Sequence, residues 1–351
     1  MQRRARPLDP PMNSARIQLF QGPNQPFQMG SAPLPDKLQS GEVLVEISLA
    51  TICGSDLHTT EGRRSAPTPC VLGHEAVGHV VSSSRDGITI GQRVTWTLAD
   101  SCGHCAPCTS WHLPQKCEHL FKYGHAALSD GSGLNGCYAS HIVLRPGTQI
   151  MPVPATLPDA IAAPANCALA TIVNALETLP DPCGRALVQG GGLLGIYACA
   201  WLRHRGVREV FCTDLSAQRL ALVAEFGGIP VPHSEKMPQV DLVLEVTGSS
   251  AVIPDGVKAL RHGGHYVWAG MVHPETKLDL TGEAVLRKCL TLRGVHNYAP
   301  QHLSAGLDFL AQNRTRLPFE RLTSPSLPLE QLNEGFDLTR SRQWQRVAIQ
   351  P

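Results

Sequence analysis

The chain has 351 residues, 42% of them hydrophobic and 17% charged, with a formal net charge of +1 at pH 7. That length exceeds what one hydrophobic core usually organises, so two domains are expected. A charge balance this close to zero argues against nucleic-acid and membrane-surface partners and leaves small molecules as the expected ones.

The start, MQRRARPLDPP, lacks the apolar stretch of a secretory signal, and no apolar run is long enough to span a bilayer; a soluble, cytoplasmic protein is expected. Residues 1–11 are expected to form a disordered tail, with the folded chain beginning at Met12. The runs GEVLVEISLA, AVGHVVS, GQRVTWTL and ASHIVLRP are short, β-prone and broken by glycine and proline, which predicts a β-rich domain. From Asp159 the segment IAAPANCALATIVNALETL carries apolar residues at helical spacing behind Pro158, predicting a helix that joins two domains. Beyond it, RALVQG, EVFCTD, VDLVLEV, HYVWAG and LTLRGV alternate with helical stretches such as GIYACAWLRHRG and AQRLALVAEFG. Such alternation predicts a parallel sheet covered by helices. LPLEQLNEGFDL and QRVAIQ do not continue the alternation and are expected to return to the first domain. The predicted organisation is α/β: a β-rich domain over 12–165 and 305–351, and a doubly wound parallel-sheet domain over 166–304.

Within the alternating region, RALVQGGGLLG places Gly190, Gly192 and Gly195 in a G-x-G-x-x-G array between a strand and a helix. Side chains there would block the tight turn and the approach of backbone to a pyrophosphate. Leu193 and Leu194 open the helix, whose free N–H groups suit phosphate. Asp214 ends the next strand, where a carboxylate bonds the ribose 2′-hydroxyl and repels an added phosphate, so NAD is expected over NADP. Arg219, one helical turn further, is a further cofactor contact.

Four of the twelve cysteines, Cys102, Cys105, Cys108 and Cys117, form a C-x2-C-x2-C-x8-C run, and four thiolates at such spacing can close a tetrahedral shell on zinc. A disulfide framework belongs instead to short secreted chains. Cys70, Cys137, Cys183, Cys199, Cys212 and Cys289 stand singly among apolar neighbours and are expected to be small buried hydrophobes. A second set of metal-type residues lies earlier: Cys53, Ser55, Asp56 and His58 in TICGSDLHTT, and His74 and Glu75 in VLGHEAVG.

Together CGSDLH, GHEAVG and the spaced cysteines resemble the zinc-dependent medium-chain alcohol dehydrogenases over nearly the whole chain. The resemblance implies a GroES-like catalytic domain and a Rossmann cofactor domain. It implies a catalytic zinc on Cys53, His74 and, in PANCALAT, Cys167, with Ser55 and His58 as a proton relay and Asp56 and Glu75 orienting the ligands. A zinc-stabilised alkoxide would then release hydride to NAD, interconverting an alcohol and a carbonyl compound. The cysteine lobe would hold a second, structural zinc, giving two per chain. Cys117 comes one residue later than the family's usual spacing, and His104 or His112 are alternative ligands there. Homodimers or homotetramers are implied as well.

Arg64 falls where family members place a side chain of the outer substrate channel. The stretches ATICGSDLHT, LPQKCEHLFKYGH, AAPANCALAT and LRGVHNYAP further resemble a bacterial branch named for its association with phosphonate catabolism. That points to an anionic alcohol such as a hydroxyalkylphosphonate, or to a polyol, with Trp96, Phe121, Asn297 and Tyr298 as candidate pocket wall. Two rivals are a zinc-independent quinone or enone reductase of the same fold and a zinc-ribbon binding module. The first lacks a use for Cys53, His74 and Cys167, and the second is disfavoured by the few basic residues around the cysteine lobe.

Overall fold

The computed structural model describes residues 13–232 and 237–351. The tail expected over 1–11 and the start expected at Met12 lie outside the described residues. The chain divides into two compact units, one holding the described residues up to Cys105 with 117–164 and 323–351, the other holding 106–116 and 165–322.

In the first unit the strand Val43–Ile52 is central, pairing antiparallel with Glu75–Ser83, His141–Leu144 and Val347–Gln350. Arg93–Trp96, Ile150–Pro152 and Leu327–Pro328 complete a seven-stranded sheet, and Ser14–Phe20 centres a separate three-stranded one. Val and Ile are stiff at χ1 and pack well on pleated surfaces. Ile17, Val43, Val45, Ile52, Trp96 and Tyr138 accordingly lie in one buried cluster with Phe336 of the helix Leu332–Ser341.

The second unit is built on six parallel strands in the spatial order Ile229–Pro230, Glu209–Thr213, Arg185–Gln189, Val240–Glu245, Leu260–Trp268, Thr291–Gly294. The strands Arg185–Gln189 and Val240–Glu245 are nearly all buried, as expected of a sheet covered on both faces. In chain order the arrangement reads third, second, first, fourth, fifth, sixth, so the direction of winding reverses between Arg185–Gln189 and Val240–Glu245. Ligands of such sheets bind beyond the carboxyl ends of the strands at that reversal.

The single helix expected from Asp159 onward is broken. A helical turn at Asp159–Ala162 passes into a 3₁₀ turn at Ala163–Asn166, and a new helix starts at Ala168 and runs to Ala175. Pro164 has no N–H to give the helical ladder. Cys167 stands at the break with φ −129° and ψ −74°, just before the new helix. Among the described residues no helix is long and apolar enough to cross a membrane.

Candidate active site and metal centres

Cys53 caps the helix Gly54–Thr60 from an extended conformation. Three residues on, Asp56 reaches back and accepts the Cys53 N–H at 3.2 Å, so the sequence CGSD folds as a cap. The same buried carboxylate accepts the Tyr138 hydroxyl at 2.7 Å, and its other oxygen lies 3.4 Å from His74 Nδ1. Nδ1 thus faces a carboxylate, the arrangement in which a metal-binding histidine ligates through Nε2. Burial pushes the Asp56 carboxyl up, but the charge and proximity of His74 outweigh it and hold the group below its ordinary value. Burial works against a charged His74 too, and Asp56 with the Cys53 side chain overcomes it, raising His74 to about 10. A metal ion binding here must displace protons from its ligands.

Glu75 is fully buried and held from two sides. Thr51 Oγ1 and Arg346 Nε donate to its Oε2 at 2.6 and 2.7 Å, and Arg346 Nη2 donates to Oε1 at 2.8 Å. Burial raises Glu75 to about 7 against the pull of the guanidinium. Arg346 Nη2 also lies 3.6 Å from Cys53 Sγ, and a cation at that distance favours the thiolate. Sequence reasoning missed Arg346 and Tyr138. The available signal for the first was a lone arginine leading into the apolar strand Val347–Gln350.

One ligand atom from each of Cys53, His74, Glu75 and Cys167 lies within 4.8 Å of the others, close enough to share one ion. Two thiolates and an imidazole are the donors zinc favours, so these residues fit the metal. Ser55 and His58, three positions apart on the helix Gly54–Thr60, occupy the same helical face.

The sulfur atoms of Cys102, Cys105, Cys108 and Cys117 likewise lie within 4.8 Å of one another. The backbone N–H groups of Cys102 and His119 point at Cys117 Sγ at 3.2 and 3.3 Å. A 3₁₀ turn at Pro114–Lys116 leads into Cys117, and the loop before it turns at His112 with a φ of 54°. His104 is turned to the Cys102 carbonyl instead, with Nδ1 at 3.0 Å.

At the strand reversal of the second unit, Gly190 takes a φ of 112° and a side chain on Gly195 would run into the Gly190 carbonyl. Around the ideal Cβ position of Gly192 there is open space, the cradle a phosphate needs. Leu193 opens the helix Leu193–His204, with Leu194 next to it in the first turn. Asp214 accepts the Gly191 N–H at 2.7 Å and the Ser216 N–H at 2.8 Å, and Arg219 Nη1 stands 3.6 Å from it. Each carboxylate oxygen retains a lone pair for a further donor.

Of the expected pocket residues, Arg64 is half-buried after the helix Gly54–Thr60. Trp96 is packed wholly within the core of the first unit. Phe121 is buried with the Arg145 guanidinium 4.3 Å above its ring. Tyr298 donates to the Asn166 carbonyl, and the Asn297 carbonyl accepts from Asn174 Nδ2 at 2.7 Å.

Residues 39–155 match the family model of the alcohol dehydrogenase GroES-like domain, and residues 194–312 match that of the zinc-binding dehydrogenases. This chain belongs to the zinc-dependent medium-chain alcohol dehydrogenases. L-threonine 3-dehydrogenase from Legionella pneumophila (strain Corby) is 27% identical over 347 residues, covering 92% of this chain and 95% of that protein. The structure of an alcohol dehydrogenase from Thermotoga maritima matches with a TM-score of 0.90 and 28% identity, covering 96% of this chain and 99% of its own. A zinc-binding dehydrogenase from Sinorhizobium meliloti 1021, in a structure bound to NADP, matches at a TM-score of 0.85 with 20% identity, covering 97% of this chain and all of its own, a likeness of fold. As a medium-chain alcohol dehydrogenase the chain is a zinc-binding oxidoreductase that uses NAD(P), with a GroES-like domain and a Rossmann domain. The phosphonate-associated branch finds no counterpart among these relatives.

Proposed function

We propose that the enzyme oxidises an alcohol to the carbonyl compound with NAD as hydride acceptor, one hydride leaving the carbinol carbon and one proton leaving its hydroxyl. The observation that carries this reading is the convergence of the Cys53, His74 and Cys167 ligand atoms, with Asp56 behind His74. Zinc bound there would supply Lewis acidity, making the alcohol proton easier to remove. Ser55 takes that proton, and His58 on the same helical face passes it to solvent. Asp56 fixes the ring of His74, and Arg346 keeps Glu75 neutralised beside the site. The cysteine lobe holds a second zinc. Asp214, with a lone pair left on each oxygen, selects NAD by bonding the ribose and repelling the phosphate of NADP. Arg64 favours alcohols carrying a negative group. Leu286, exposed on the helix Gly282–Lys288, which buries none of its residues, and the open edge strand Thr291–Gly294 that follows it in the chain support a homo-oligomer.

A panel of neutral and anionic alcohols, with L-threonine among them, tests the reading with NAD⁺ and NADP⁺ in parallel. We expect NADH formation with kcat/KM at least tenfold above that with NADP⁺, and near two zinc ions per chain by metal analysis. Ser55→Ala should lower kcat by about 10²- to 10⁴-fold with zinc content unchanged. Arg64→Ala should raise KM for anionic alcohols alone. Preference for NADP⁺ would defeat the role given to Asp214, and reduction of neither cofactor by any alcohol would defeat the whole.

A further inference from the structure

The dipeptides Gly73–His74 and Gly124–His125 run against each other in the first unit. Gly124 has a φ of 72°, and a Cβ on it would fall 2.5 Å from the Gly73 carbonyl oxygen; Gly73, at 90°, is pressed in turn against the Tyr138 ring. Glycine is required at both places. The close approach of the two backbones sets the rings of His74 and His125 with centroids 5.7 Å apart.

His125 Nδ1 is 3.0 Å from the Tyr123 carbonyl oxygen, which can only accept. In the neutral ring the hydrogen therefore sits on Nδ1 and donates, and Nε2 presents a lone pair. Tyr123 is a firm anchor, since its buried hydroxyl is joined to Thr148 Oγ1 at 2.6 Å and receives the Arg145 N–H at 2.8 Å. Nε2 itself is buried, and among the described residues it meets no hydrogen-bond partner. The charged groups that reach the ring are Arg64 and Lys122, with the His74 ring beside it. A buried acceptor fixed in one tautomer and lacking a protein donor is rare, because it forgoes the bonds it would make in water.

We propose that His125 is a specificity-determining residue whose Nε2 accepts a hydrogen bond from a second hydroxyl of the substrate, on the carbon next to the one oxidised. The preferred substrate class is then the vicinal diol. Two oxygens on adjacent carbons suit one group held at the His74 centre and one acceptor on the neighbouring ring. Cations at Arg64 and Lys122 disfavour an ammonium as the donor and leave a hydroxyl. The inference rests on the reading that an alcohol is oxidised at the Cys53–His74 centre.

The test compares 1,2-propanediol with 1-propanol on the full-length zinc-loaded protein, by steady-state kinetics and by NMR titration of binding. The wild type should favour the diol in both. His125→Phe should lower the diol-to-monoalcohol ratio roughly three- to tenfold, as expected for one neutral hydrogen bond, and the change should appear in KM and in the dissociation constant. His125→Gln, whose amide oxygen reaches the place of Nε2, should return most of the ratio, whereas His125→Asn, one bond shorter, should not. The Gln and Asn pair decides the matter if the Phe variant does not fold. An unchanged ratio in Phe and Asn variants overturns the inference and leaves Nε2 to solvent. Binding requires no turnover, so diol binding through His125 without oxidation of any alcohol would refute the functional reading alone.

Discussion

Cys102, Cys105, Cys108 and Cys117 come from a single short stretch, and two backbone N–H groups donate to Cys117. Cys53, His74 and Cys167 come from three distant stretches, and charged groups drawn from elsewhere stand behind two of them: Asp56 at His74, and Arg346 at Cys53. Four thiolates fill a tetrahedral shell by themselves, so spacing and a few backbone dipoles suffice. On the function proposed above, Cys53, His74 and Cys167 leave a position for chemistry while Thr51 and Arg346 hold Glu75, and orientation and charge are then set by the surrounding network. On that proposal, sequence proximity goes with the closed site and dispersion with the reactive one.

The largest expected effect separates the two clusters directly. Cys53→Ala should remove one zinc ion and cut turnover about 10³-fold or more. Cys105→Ala should remove the other zinc and lower the melting temperature by roughly 5–10 °C. Metal analysis beside a thermal melt reads both, and turnover surviving in Cys53→Ala would erase the contrast. An intermediate effect is expected from Arg346→Met, which leaves Glu75 buried without its cation and should cost about 3–5 kcal/mol in denaturant unfolding. Adding Glu75→Gln should recover part of that loss; a double variant as unstable as the single one would show that the pair is not coupled. The smallest effect belongs to Tyr138→Phe. It removes one hydrogen bond from Asp56, at about 1 kcal/mol of stability. Zinc affinity at the centre, measured by competition with a chelator, should weaken about tenfold while the lobe keeps its metal.

What could be read in advance follows the same division between near and far. Gly190, Gly192 and Gly195 announce their turn because the constraint is steric and local, and the bond from Gly191 to Asp214 joins residues only 23 positions apart. The alternation of strand and helix was similarly plain. Arg346 lies 293 positions from Cys53 and Tyr138 lies 82 from Asp56, and no periodicity connects such partners. The helix expected from Asp159 failed for a different reason: apolar spacing persists through Pro164, but the backbone cannot. Aromatic residues near the motifs took surroundings that no local pattern announced: Trp96 packs in the core and Phe121 carries the Arg145 guanidinium on its face.

The pairing of Val347–Gln350 with Val43–Ile52 also fixes an order of events. The second unit is nearly continuous in sequence and can fold as soon as it has been synthesised, whereas the central strand of the first must wait for a partner made almost an entire chain later. During that interval the edge along Ala50–Ile52 is open to strands from other molecules. The same delay withholds Arg346 from Glu75, so the carboxylate can be sealed off from water only once its cation has been translated.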